Sequence, residues 1–126
     1  MRILYGIVGE GMGHATRSRV VLEHLLRQDH EIYVVVSGRA HKMIAEAFEG
    51  RENIEVEEIH GLNISYANNK VQKGKTAWEI LRTAPKGILQ NIKAYRKLVN
   101  KQFNPQMVIS DFESWAYLFA LNHRLP

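Results

Sequence analysis

Cysteine is absent from the chain. That excludes a disulfide framework, a thiolate metal site and a cysteine nucleophile, and it fits a reducing cytoplasm. No apolar run approaches the ~20 residues that a membrane span needs. The first residues carry one arginine and then a strand-like run, with no small-residue cleavage site, so no signal peptide is predicted. There is no internal repeat and no low-complexity linker. The six histidines show no metal-ligand spacing among them; His24, His30, His41, His60 and His123 read as surface or loop residues, and no metal site is expected. Acidic residues are scarce in one stretch. Nine basic residues, Lys70, Lys73, Lys75, Arg82, Lys86, Lys93, Arg96, Lys97 and Lys101, are opposed only by Glu79. The remaining eight basic and twelve acidic residues leave the rest of the chain net acidic. Such asymmetry points to an anionic partner for the basic segment. No nucleic-acid-binding motif is present and stacking aromatics are few, so nucleic acid is not expected.

What is present is ordinary globular composition, 45% hydrophobic and 24% charged over 126 residues. That is one domain, large enough to bury a core without staples. Ile3–Val8 is a near-continuous apolar run ending at glycine, the mark of a strand buried on both faces. Ala15, Leu22, Leu25 and Leu26 then fall on one side of a helix, with Arg17, Arg19, Glu23 and Arg27 mostly outside it. Glu31–Val36 reads as a second buried strand, turned by Ser37-Gly38. Ala40–Phe48 reads as a short helix with Met43, Ile44, Ala47 and Phe48 inward. Asn53–Ile59 alternates like a strand nearer an edge. His60–Gly74 is a long polar loop of the kind that is often functional or mobile. From Thr76 the spacing of Trp78, Leu81, Ile88, Ile92, Tyr95 and Val99 predicts helix, broken or kinked at Pro85 and Gly87. Gln106–Ser110 is a fourth strand after Asn104-Pro105. Glu113–Asn122 is a last helix with Trp115, Leu118 and Phe119 as its core face. Alternating strands and helices predict an α/β, Rossmann-like, doubly wound parallel sheet. The sequence stops at Leu125-Pro126, where the next strand of such a fold would start, so a longer parent protein is expected.

In this architecture ligands bind at the carboxyl ends of the strands. The first of those ends carries Gly9-Glu10-Gly11-Met12-Gly13-His14. Glycines permit the tight turn and let a ligand approach the backbone. The helix that follows offers unpaired N–H groups and a partial positive charge, which suit a phosphate. A dinucleotide site needs a third glycine where His14 stands, and an acidic residue where Ser37 or Gly38 stands. A Walker-type phosphate loop needs Gly-Lys-Ser/Thr, which does not follow. The bland alternative is a turn whose glycines only pack strand against helix. His14 falls in the first turn of the helix, where the dipole disfavours imidazolium. A neutral imidazole in a cleft is what a general base requires; the alternative is a capping or packing histidine. Arg17 lies three residues on and suits a phosphate or carboxylate. Ser110, Asp111 and Glu113 follow the fourth strand at the same edge. Asp111 could orient a histidine from a neighbouring strand, or Ser110 or Asp111 could simply cap the last helix.

Three stretches resemble the N-terminal domain of GT-B glycosyltransferases. Tyr5–Arg17 is similar to the Gly-x-Gly-His loop of lipid-acceptor enzymes such as the peptidoglycan GlcNAc transferase and the galactosyldiacylglycerol synthases. Glu31–Lys42 is similar to the second strand and its Ser-Gly turn. Asn104–Trp115 is similar to the "Pro-Asp-hydrophobic-hydrophobic-Ser-Asp" strand end, with Gln106 in place of the usual acidic residue. The resemblance implies the acceptor-side half of a GT-B fold. It implies inverting transfer of a hexose from a nucleotide sugar, a UDP-sugar by preference, to a glycan or lipid-linked acceptor of the cell envelope, with no cofactor or metal. His14 matches the general-base position of the plant secondary-metabolite enzymes, and Asp111 matches its partner there. In the peptidoglycan branch that aspartate is not a fixed feature. Gly9, Glu10, Gly11, Met12, Gly13, Arg17, Ser110 and Glu113 complete the expected substrate and phosphate site. A second Rossmann-like domain or partner subunit is expected to hold the nucleotide. Lys70–Lys101, basic with interleaved apolar residues, is expected to touch an anionic membrane surface, which places the protein in the cytoplasm at the inner face of the membrane. Two rival readings share the fold: a non-catalytic module binding a phosphorylated or sugar ligand, and a nucleotide-sugar epimerase.

Overall fold

Arg2–Ile7 forms β1, and all but its first residue are buried. Glu31–Ser37 forms β2, buried after its first residue. Apolar side chains alternate on both faces of these strands, so each needs a cover above and below. The structure, a computed structural model, provides both. It describes residues 1–61, 66–67, 70–71 and 73–126. The remaining elements are α1 (Met12–Arg27), α2 (Ala40–Ala47), β3 (Ile54–Ile59), β4 (Tyr66–Ala67), β5 (Lys70–Val71), α3 (Lys73–Asn100), β6 (Met107–Asp111) and α4 (Ser114–His123). Of the predicted loop His60–Gly74, residues 62–65, 68–69 and 72 lie outside the described residues; within it β4 and β5 form a short antiparallel pair.

The main sheet has the order β3-β2-β1-β6 and every pairing in it is parallel. Tyr5, Ile7, Ile32, Val34 and Val36 pack with Ala15, Leu22, Ala40, Ile44 and Phe48 on the face covered by α1 and α2. Leu4, Tyr33, Val35 and Ile59 pack with Ala94, Leu98, Ala116 and Phe119 on the face covered by α3 and α4. Each such fully buried aliphatic side chain contributes about 1.5–3 kcal/mol. The fold is therefore the expected α/β, Rossmann-like, doubly wound sheet, with β3 at one edge.

Two expectations about the helices are corrected. Of the two alternatives at Pro85 and Gly87, two helices or one kinked helix, the first does not hold: α3 runs as one helix with Pro85 inside it. Gly87 is instead a notch for the ring of His60, whose Cδ2 would lie 2.3 Å from an added Cβ. The α3 core face is Ala94 and Leu98, while Ile88, Ile92, Tyr95 and Val99 are exposed. Small Ala94 lets the helix lie close on the sheet. On α4, Phe119 is buried as expected, but Leu118 is exposed and Ala116 is buried instead. Among the described residues no helix is long and apolar enough to cross a membrane.

Candidate active site at the carboxyl edge

Register brings the site together. Ile7, the last residue of β1, pairs with Asp111, the last residue of β6. The connection from β1 to α1 therefore rises beside the connection from β6 to α4. Gly9 passes so close to β2 that an added Cβ would sit 1.9 Å from the Ser37 carbonyl oxygen. Its N–H donates to Ser37 Oγ at 2.9 Å. Gly9 thus serves chain packing. Gly11 has φ 76° and stands at the N-cap of α1, a backbone that favours glycine. Met12 and Gly13 are exposed in the first turn, and Glu10 is half-buried beside them. No side chain caps α1 and its first turn holds no acidic residue. Its orphan N–H groups and positive dipole end remain for an anion or water.

His14 Nδ1 lies 2.9 Å from Asp111 Oδ1. Asp111 is 9% exposed and also takes hydrogen bonds from Ser18 Oγ, at 2.9 Å to Oδ2, and from the Arg17 guanidinium. Arg17 NH2 is 3.0 Å from His14 Nδ1 as well, but both are donors once Nδ1 carries a proton. The consistent assignment has Nδ1–H and Arg17 both donating to Asp111. That leaves Nε2 with the lone pair, and no described residue is hydrogen-bonded to it. Burial pushes the Asp111 carboxyl up, but the hydrogen bonds from His14, Ser18 and Arg17 outweigh it and hold the group below its ordinary range. It is an ionised carboxylate held by three side chains, the arrangement that orients an imidazole.

Ser110 and Glu113 are close by but turned to each other. Ser110 Oγ donates to the Glu113 carbonyl at 2.7 Å and accepts from Glu113 N at 3.0 Å. The Glu113 carboxylate accepts from the N–H groups of Trp115 and Ala116, capping α4. Burial raises its carboxyl above the ordinary range despite those two donors and Ser114 N–H.

Sequence reasoning missed Ser18 and Tyr5. Ser18 is fully buried and links the Tyr5 hydroxyl, at 3.4 Å, to Asp111. The signal was a hydroxyl inside the buried stripe Ala15, Ser18, Leu22, Leu26, since a polar group facing a core needs a partner. It also missed Phe112, whose ring meets that of His14 edge-on at 5.5 Å. Among the described residues no three His, Cys, Asp or Glu side chains gather closely enough to hold a metal ion.

The model of glycosyl transferase family 1 matches residues 1–126. The chain belongs to glycosyl transferase family 1. The parallel α/β sheet is that of an N-terminal GT-B domain, and transferase activity follows at the level of the family. No curated protein matches the chain.

Proposed function

We propose that this chain is the acceptor-side domain of an inverting, nucleotide-sugar-dependent hexosyltransferase. The observation that carries the reading is the His14–Asp111 pair, 2.9 Å apart at the carboxyl edge of the sheet. In the proposed step His14 Nε2 removes the acceptor hydroxyl proton. The acceptor oxygen attacks the anomeric carbon from the face opposite the leaving group. The bond from that carbon to the diphosphate oxygen breaks, and the nucleoside diphosphate leaves with the electron pair. Asp111 balances the imidazolium that forms. The uncapped first turn of α1, with Met12 and Gly13, faces the diphosphate or an acceptor phosphate. The nucleotide, UDP by preference, is held by a second Rossmann-like domain or subunit.

The acceptor is a cell-envelope glycan or lipid-linked sugar. Exposed Trp78, Ile88, Leu89 and Ile92 on α3 lie among exposed Arg82, Lys86 and Lys93, a pattern that suits the cytoplasmic face of an anionic membrane. Lys97 and Lys101 are not part of it, since they pair with Glu57 and Glu55 of β3.

The test is His14→Ala in the complete enzyme, assayed against a panel of nucleotide sugars. Loss of a general base lowers kcat by about 10²–10⁴-fold, with donor KM little changed. Undiminished transfer removes His14 as the base. Release, without any acceptor, of a free sugar epimerised relative to the donor would favour the epimerase instead.

A further inference from the structure

Phe112 is placed against every local preference. Its φ is 57°, in the left-handed region, and its side chain is 83% exposed. For a bulky residue that backbone is a genuine outlier, and such strain gathers at functional sites. The other described non-glycine residues with positive φ are Asp29, Gln102, Asn104 and Arg124. Asp29, Gln102 and Arg124 follow the ends of helices, where left-handed residues commonly close the last turn, and Asn104 is of a residue type that adopts this backbone readily. Phe112 instead lies between a strand and a helix.

Its neighbours explain the backbone. Asp111 is held by His14, Ser18 and Arg17, and Glu113 is held as the cap of α4. The one residue between two pinned positions must absorb the turn. Glycine or asparagine would do so with less strain. Phenylalanine gains little burial in return; among the described residues its ring contact is with His14, edge-on. Beside it opens a cavity of about 410 Å³ lined by Ser110, Phe112, Glu113, Ser114 and Tyr117. Tyr117 is also exposed. Two aromatic rings and two serine hydroxyls thus flank a space next to the proton acceptor.

We propose that Phe112 and Tyr117 form a stacking platform for a pyranose ring of the acceptor, and that Phe112 sets its orientation toward His14. A pyranose has a face of C–H bonds, which the negative face of an aromatic ring attracts, and a rim of hydroxyls, which exposed Ser114 can meet. The proposal rests on the reading of His14 as the base for an acceptor hydroxyl.

The test uses the 126-residue chain, with its aromatic and histidine rings isotope-labelled, titrated by NMR with methyl β-glucopyranoside. Phe112, Tyr117 and His14 resonances are expected to shift together. Phe112→Ala should weaken the apparent affinity about fivefold, the scale of one aromatic contact, and Phe112→Trp should restore it. Phe112→Asn should lose the sugar response while raising Tm by about 2–4 °C, through relief of backbone strain. Sugar shifts unchanged in Phe112→Ala overturn the platform. So do equal shifts with cyclohexylmethanol, which would mark an unselective apolar site, and so does a lowered Tm for Phe112→Asn, which would make the ring a packing element. His14→Gln separates the two readings. Lost turnover with retained Phe112 shifts supports both. Retained turnover defeats the base alone, and a platform that fails while His14→Gln is inactive defeats the platform alone.

Discussion

At the scale of single residues, position in the fold decides what a polar group is worth. Ser18 and Tyr33 are both buried. The Ser18 hydroxyl is bonded to Asp111, whereas the Tyr33 hydroxyl has no hydrogen-bond partner among the described residues. Burial, with Glu57 and Glu55 nearby, raises the Tyr33 phenol far above its ordinary range. A buried hydroxyl without a partner costs about 1–3 kcal/mol of desolvation. Tyr33→Phe should therefore be neutral or stabilise the fold by up to about 1 kcal/mol in urea titration; a clear loss would reveal a partner for the hydroxyl. Ser18→Ala should cost about 1–2 kcal/mol, because it strips a donor from a buried carboxylate. None of these values can be read from residue type. Ser18 lies in a stripe that periodicity assigns to the core, but its partner is 93 positions away, and only strand register brings it there.

At the scale of elements, the turn from β6 into α4 shows how local chemistry fixes a site. Glu113 satisfies two orphan N–H groups of α4 while Ser110 bonds Glu113 at both its N–H and its carbonyl. Glu113→Ala should cost about 1–2 kcal/mol, the upper part of the range for a lost cap. It should also broaden the NMR signals of Phe112, whose backbone the cap constrains. Unchanged stability would mean that the dipole and water satisfy the helix end alone. The last helix and its inward Trp115 and Phe119 were legible from its apolar residues, but Leu118, adjacent to Phe119, is exposed; Phe119 packs against Tyr95 and Trp115. On α3 the spacing of large apolar residues predicted the helix, yet the sheet takes small Ala94 with Leu98. Close approach of helix to strand selects for size, which hydropathy does not record.

At the scale of the whole molecule, two carboxyl groups give the stability opposite responses to pH. Asp111 is depressed in the folded state, so its contribution is complete above its unfolded value near 3.8 and is lost as pH falls through the lower folded value. Glu113 is raised, so its contribution is complete below its ordinary 4.5 and is lost as pH rises through the higher folded value. Stability measured by urea denaturation should therefore fall below about pH 4 in the native chain and fall less steeply there in Asp111→Asn. Glu113→Gln should flatten the decline on the side above pH 4.5. If Asp111→Asn keeps the full acid-side slope, other carboxylates govern acid unfolding. Association is also a property of the whole surface. Binding to vesicles rich in anionic lipid, and its loss at high salt, should follow Arg82, Lys86 and Lys93 and leave neutral vesicles unbound.

By itself the sequence determined the strands, because continuous apolar runs such as Ile3–Ile7 and Ile32–Val36 can only be satisfied by cover on both faces. It also determined the glycine turn and placed His14 at a helix start, since those features are local in the chain. Tertiary structure decided the rest. It assigned Gly9 to packing against Ser37 and Glu113 to capping, and it left Phe112 in a strained, exposed turn beside the site. It set Asp111 against His14, a contact that depends on β6 lying next to β1. Side-chain type and spacing carry no information about strand order. The pairing of Ile7 with Asp111 across the sheet is what converts two separate motifs into one site.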